Sequence, residues 1–228
     1  MYKTQKVGAI IVAAGCGMRM DGIDKIFAPL GDMSVLEHSV TTFDTSPYVD
    51  FITVVLRHDN TARGEYLLRQ KSLRKELIIC QGGARRQDSA LAGLNALPPC
   101  RWVIVHDGAR PLLNQNLIAD GLEASQETGA AAAAVPLTDT VKRTDDNGYV
   151  NETLPRKLLW AVQTPQVFRF DIIKAGYTQT VSDVTDDAAM VEALGIKVKL
   201  YTGSYDNVKL TTPTDMALAQ SILQQRRP

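Results

Sequence analysis

The stretch VGAIIVAAG, Val7 to Gly15, constrains this chain more than any other. It is apolar at successive positions, so a strand here presents apolar side chains on both of its faces and has to be buried on both. Three further runs, FITVVLR, ELIICQGG and RWVIVHDGARP, read as strands, the last two running into turns. Helical stretches lie between them. SVLEHSVTTFDTS places Val35, Leu36, Val40 and Phe43 near helical spacing, and Ser34 with Glu37 forms a capping box. TARGEYLLRQKSL, DSALAGLNAL (capped by Asp88) and NQNLIADGLEASQETG are the next helices, and AAAAAVPL is a short buried strand. A helix after Phe170, the TDDAAMVEALG helix, the strand KVKLYTG and a helix from Thr214 close the chain. Strands alternating with helices predict an α/β fold, a doubly wound and mainly parallel sheet.

One segment breaks the rhythm. TDTVKRTDDNGYVNETLPRKLLWAVQTPQVF alternates polar and apolar residues around DDNG, a hairpin turn signal. It has too few large apolar residues for a core of its own. The chain therefore reads as a single domain, 1–228, with a protruding β-hairpin arm at about 138–157 that needs a second surface to lie against. A second copy of the chain is the simplest one.

Formal net charge is zero, which excludes a global basic field for nucleic acid. No apolar run approaches the ~18 residues that span a bilayer. Three scattered cysteines point to a reducing compartment, and the cytoplasm is the expected location.

In doubly wound sheets, ligands bind beyond the carboxyl ends of the strands, so the turns after strands carry the chemistry. AAGCGMRM is neither GxGxxG nor a Walker loop, yet Gly15 and Gly17 let backbone N–H groups approach an anion, and Arg19 and Lys25 add cations. The same residues would also make a plain strand-to-helix turn. In QGGARRQDSA, Gly83 and Ser89 suit the edge of a base, or simply a glycine turn. In VIVHDGARP, Asp107 stands where a magnesium carboxylate is often found, beside Gly108 and Arg110, while His106 bonds within the turn. No serine or cysteine is placed with a histidine as a nucleophile. The equipment is that of a nucleoside triphosphate site with magnesium.

Taken in order, AAGCGMRM…DK, GGARRQDS, HDGARP, DTVKR, WAVQTPQVF, TDDAAMVE and DNVKLTTPTD resemble the 2-C-methyl-D-erythritol 4-phosphate cytidylyltransferases, from about Val7 to about Leu218. The resemblance implies transfer of CMP from CTP to methylerythritol phosphate, a Rossmann-like domain and a homodimer joined by the arm. It implies that Ala13, Ala14, Gly15 and Gly17 line the triphosphate, that Arg19, Lys25 and Lys209 stabilise its charge, and that Gly83, Ala84 and Ser89 hold the cytidine. Asp107, with Gly108 beside it, would serve magnesium and nucleotide. Arg110, Asp139, Thr140, Arg156 and Thr164 would recognise the polyol phosphate, the arm residues among them acting across the dimer. Two positions depart from the family: Asp24 stands where many relatives have proline, next to Lys25, and Ala84 where some carry an acid. Ribitol-5-phosphate cytidylyltransferase and a nucleotide-binding non-enzyme of the same fold are the alternatives.

Overall fold

The computed structural model describes residues 1–15, 19–20, 23–179 and 183–226. Its main strands are β1 (Val7–Ala13), β2 (Phe51–Leu56), β3 (Glu76–Gln81), β4 (Trp102–Asp107), β5 (Ala130–Pro136), β6 (Lys142–Thr144), β7 (Val150–Thr153), β8 (Trp160–Arg169) and β9 (Lys199–Thr202). Seven of them form one sheet in the order β9-β5-β8-β4-β1-β2-β3. β1 lies parallel to β2 and β4, β2 to β3, and β5 to β9; β8 alone runs antiparallel to its neighbours β4 and β5.

All seven residues of β1 are buried. Ala9, Ile11 and Ala13 pack in a core with α1 (Val35–Asp44), α2 (His58–Arg69) and α4 (Gln115–Ala124). Ile10 and Val12 pack in a second core with α3 (Arg86–Ala96), α5 (Phe170–Gln179) and α6 (Asp187–Ala193). The period-two alternation of one strand thus feeds two helical layers, the doubly wound arrangement expected. The last helix, α7 (Pro213–Gln225), joins a third, smaller cluster with Leu30 and Leu210. Ala130 to Ala134 are fully buried in β5 despite their small side chains.

Local chemistry sets the helix starts. The capping box of α1 forms: Ser34 N–H donates to Glu37 Oε2 at 2.7 Å, and Glu37 N–H to Ser34 Oγ at 3.3 Å. The start of α3 differs from expectation. The helix begins at Arg86, before Asp88, whose carboxylate reaches back to accept the Arg85 N–H at 3.1 Å. An acidic side chain in the first turn caps as well as one outside it, so the sequence pattern alone misplaces the boundary.

β6 and β7 pair with each other outside the main sheet. Asp145 Oδ1 accepts the N–H groups of Asn147 and Tyr149 at 3.0 and 2.9 Å, and Gly148 takes φ +84°. That is the tight turn DDNG announces. Both arm strands are exposed along their whole length. Among the described residues no helix is long and apolar enough to cross a membrane.

The contact of α3 with the sheet leaves no spare room at Gly93. A Cβ there would lie 2.5 Å from Ile10 Cγ2 and 2.8 Å from Val55 Cγ2, both on β-branched side chains that cannot swing away. Gly93→Val is expected to destabilise the protein by about 2 kcal/mol through overpacking. Urea unfolding monitored by circular dichroism measures it; a variant as stable as the parent would contradict this packing.

Candidate active site

The ends of β1, β3 and β4 meet at one edge of the sheet, across the point where strand order reverses between β1 and β4. There they enclose a cavity of about 370 Å³. Its lining brings together Ala13, Ala14, Gly15, Lys25, Gly83, Ala84, Ser89, Asp107 and Lys209, nine of the residues expected from sequence. The close approach of two turns requires glycine at position 108. Gly108 N–H donates to Val12 O at 2.8 Å, and a Cβ there would lie 2.8 Å from the Ala13 Cβ. A larger hollow of about 450 Å³ over Phe27, Met33 and Tyr66 holds neither Asp107 nor Lys25 nor Lys209.

Asp107 is the electrostatic centre. Lys209 Nζ lies 2.8 Å from its Oδ2, Arg86 Nη2 3.2 Å from its Oδ1, and Arg110 Nε 3.6 Å from Oδ2. Burial by itself would push the Asp107 carboxyl up. Arg86, Lys209 and Arg110 outweigh burial and hold it well below the usual carboxylate range, so it is ionised. Arg86 has a second partner, Asp187 at 2.8 Å, which is fully buried. No role for Arg86 is legible in the sequence, because its two carboxylates sit on β4 and α6, far from it along the chain.

Lys25 also lines the cavity, and no ion-pair partner lies within 4 Å of its ammonium among the described residues. Burial, and then the charge of Lys209, lower its pKa; Asp24, Asp107 and Asp215 act the other way. Asp24 itself does not bind Lys25. Its carboxylate pairs with Arg57 at 3.3 Å, accepts the Asn60 amide at 2.8 Å and caps the Lys25–Phe27 turn through the Ile26 N–H at 3.3 Å. Gly17 lies outside the described residues; the backbone of Arg19 pairs with Asp24, and its side chain lies outside them.

Thr164 and His106 have structural occupations. His106 Nε2 lies 3.0 Å from the Arg110 carbonyl, which can only accept, so Nε2 carries the proton. Nδ1 then accepts from Thr164 Oγ1 at 3.1 Å, and that oxygen accepts the Asp107 N–H at 3.0 Å. Complete burial pulls the His106 pKa down to about 4, so the imidazole is neutral. Ser89 is likewise engaged: its Oγ accepts the Gly83 N–H at 3.1 Å and holds the glycine turn. Asn207, fully buried, donates to Thr164 O at 2.7 Å and receives Arg110 Nη1 on its carbonyl at 2.7 Å. The motif DNVKLT thus contributes a strut as well as Lys209.

A smaller cavity, about 90 Å³, adjoins Asp107, Arg86 and Lys209 and is lined by Arg110, Thr164, Gln163 and Asp186. Arg110 and Thr164 are therefore beside the main site, as expected. Asp139, Thr140 and Arg156 are not. They are exposed on or next to the arm and line neither cavity, and Arg156 donates to the Thr138 carbonyl. Asp186 caps α6 through Ala189 N–H at 3.0 Å.

Among the described residues Asp107 is the one carboxylate lining the main cavity, and none of them form a cluster of three or more metal-ligating side chains. Such a donor set fits magnesium carried in by polyphosphate, which keeps phosphate and water ligands and takes one or two carboxylates from a protein.

The model of one protein family, described as IspD: 2-C-methyl-D-erythritol 4-phosphate cytidylyltransferase, matches residues 7–225. The chain is 48% identical over 227 residues to the 2-C-methyl-D-erythritol 4-phosphate cytidylyltransferase of Dehalococcoides mccartyi, covering 100% of both chains. Among solved structures it resembles 4-diphosphocytidyl-2C-methyl-D-erythritol synthase from Anaerococcus prevotii, with TM-score 0.86 and 32% identity over 96% of this chain and 99% of that one. It also resembles the Thermus thermophilus 2-C-methyl-D-erythritol 4-phosphate cytidylyltransferase, with TM-score 0.76 and 28% identity over 94% and 98%.

Replacing Thr164 by valine removes the shared hydroxyl and leaves the Asp107 N–H and His106 Nδ1 buried without partners. Thr164→Val is expected to cost about 2 kcal/mol of stability. Calorimetric melting checks it; an unaltered melting temperature would mean that the hydroxyl is not part of the fold.

Proposed function

The chain belongs to the 2-C-methyl-D-erythritol 4-phosphate cytidylyltransferase family, and on that premise we propose how its site transfers CMP from CTP to methylerythritol phosphate in non-mevalonate isoprenoid synthesis. The observation that carries the assignment is the cavity in which Lys25, Lys209 and Asp107 face one another across the glycine turns.

CTP enters with its triphosphate along Ala13–Gly15 and its cytidine toward Gly83, Ala84 and Ser89. Ala84 offers the base only backbone groups. The amino end of α3 borders the same cavity, and its helix dipole favours an anion there. A phosphate oxygen of methylerythritol phosphate attacks the α-phosphorus in line. A new P–O bond forms, the bond to the bridging oxygen breaks, and pyrophosphate leaves. The attacking oxygen is already ionised at neutral pH, so no side chain has to remove a proton. The obstacle is repulsion between two polyanions. Lys25, Lys209 and Arg19 offset it and gain most where charge crowds, at the transition state. Magnesium, held by Asp107 and the phosphates, would supply further charge neutralisation there. Arg110 borders the small cavity on the acceptor side.

The acceptor's remaining contacts come from the arm of a second copy. The arm and its base expose Tyr149 (74%), Val150 (59%) and Leu158 (77%), more apolar surface than an isolated hairpin keeps in water. A homodimer covers that surface and carries Asp139, Thr140 and Arg156 to the neighbouring site.

Pyrophosphate release from CTP with methylerythritol phosphate or with ribitol 5-phosphate tests the assignment. Turnover is expected with the first only. In the same assay Lys25→Ala is expected to lower kcat by about a hundredfold while changing the KM for CTP far less. A pure KM effect would remove Lys25 from the transition state. Mixing the inactive variants Lys25→Ala and Arg156→Ala is expected to restore about a quarter of parental activity, because half of the reassorted dimers carry one site intact at both positions. Recovery of none after subunit exchange would place Arg156 in its own protomer's site, and an Arg156→Ala variant that is active by itself would place it outside the reaction.

A further inference from the structure

Three cations share Asp107, and they are held very differently. Lys209 is 41% exposed and reaches Asp107 at 2.8 Å by a single flexible ammonium. Arg110 is mostly buried and tied to the Asn207 carbonyl. Arg86 is clamped from behind: its Nη2 lies 2.8 Å from Asp187 Oδ2, and Tyr177 donates its hydroxyl to Asp187 Oδ1 at 2.6 Å. The start of α6 that carries Asp187 is itself fastened to β8. Gln166 Oε1 accepts the Ala188 N–H at 2.9 Å, and Gln166 Nε2 donates to Asp186 at 2.8 Å.

The neighbours of Arg86 grip the same segment. Arg85 pairs with Asp183 at 2.8 Å, and Gln87 Oε1 accepts the Val184 N–H at 3.3 Å. Three consecutive residues at the start of α3 are thus bound to the stretch 183–187, and Arg86 faces both cavities.

We propose that Arg86 is a positioning residue for this reaction: anchored by Asp187, it secures the Asp107 carboxylate from one side and so lets Lys209 leave Asp107 for a substrate phosphate. With Arg86 in place, Asp107 keeps a buried counter-ion after Lys209 departs. Without it, departure of Lys209 would strip that carboxylate of its nearest partner, and Lys209 would stay. The proposal rests on the nucleotide site described above.

A thermodynamic cycle on CTP binding, measured by calorimetry in EDTA, tests it. The replacement Arg86→Met with Asp187→Asn removes both buried charges together, so neither is left unpaired. In the parent background it is expected to weaken CTP binding about tenfold, and in a Lys209→Ala background by less than about twofold, because Arg86 acts through Lys209. An equal loss in both backgrounds, or no loss in either, would overturn the proposal. Should the paired replacement fail to fold, Arg86→Lys, which keeps the charge and lacks the second nitrogen, Nε, that donates to Asp107, is put through the same cycle with the same two criteria. A parent chain that binds CTP neither in EDTA nor with magnesium would instead refute the nucleotide site on which the proposal rests.

Discussion

Burial of β1 on both faces is the constraint from which the remainder follows. An apolar strand covered on one side only would leave Ile10 and Val12, or Ile11, in water. Helices must therefore lie on both faces, and the crossovers they provide make the neighbouring strands parallel. Parallel strands end together. Their carboxyl ends, and the amino end of α3 that follows β3, gather at one edge. The site exists where it does because the core left no other edge at which Ala13, Gly83 and Asp107 could meet.

That constraint was plain in the residues, since continuous apolar runs of strand length separated by helical spacing admit few architectures. The arm was legible for the opposite reason, a lack of apolar residues around a strong turn. The α1 capping box was local chemistry and formed as read. Local reading failed at α3, where Arg85 and Asp88 rearrange the first turn between them. A propensity pattern cannot distinguish a carboxylate that caps from before a helix from one that reaches back out of it.

Part of the cavity was legible in the residues that follow buried strands, Gly15, Lys25, Gly83, Ser89 and Asp107, while Ala13, Ala14, Ala84 and Lys209 came from the family resemblance alone. The occupations of its hydroxyls were not legible. Ser89 looks like a ligand contact by its place after the glycine turn, and Thr164 by the family resemblance, but each has its oxygen engaged by the fold: Thr164 by His106 and the Asp107 backbone, Ser89 by Gly83. Arg86 was hidden for a related reason. Its partners are assembled by tertiary packing, and no spacing in the chain links it to Asp187. Asp24 stood out in the sequence only as a departure from the family beside Lys25; its contacts with Arg57 and Asn60 are made by tertiary packing.

In the nucleotide site we propose, the resting contact between Lys209 and Asp107 would also select by valence. A chloride or acetate ion offers the lysine one negative charge, which the carboxylate already supplies at 2.8 Å without any loss of translational freedom. Exchange with such an ion brings no gain. A triphosphate presents several charges on one backbone and can engage Lys209 and Lys25 together while its neighbouring groups meet the glycine turns. In that site the lysine would be withheld from the abundant small anions and would yield to a polyanion, a discrimination obtained from charge number before shape or base identity enters.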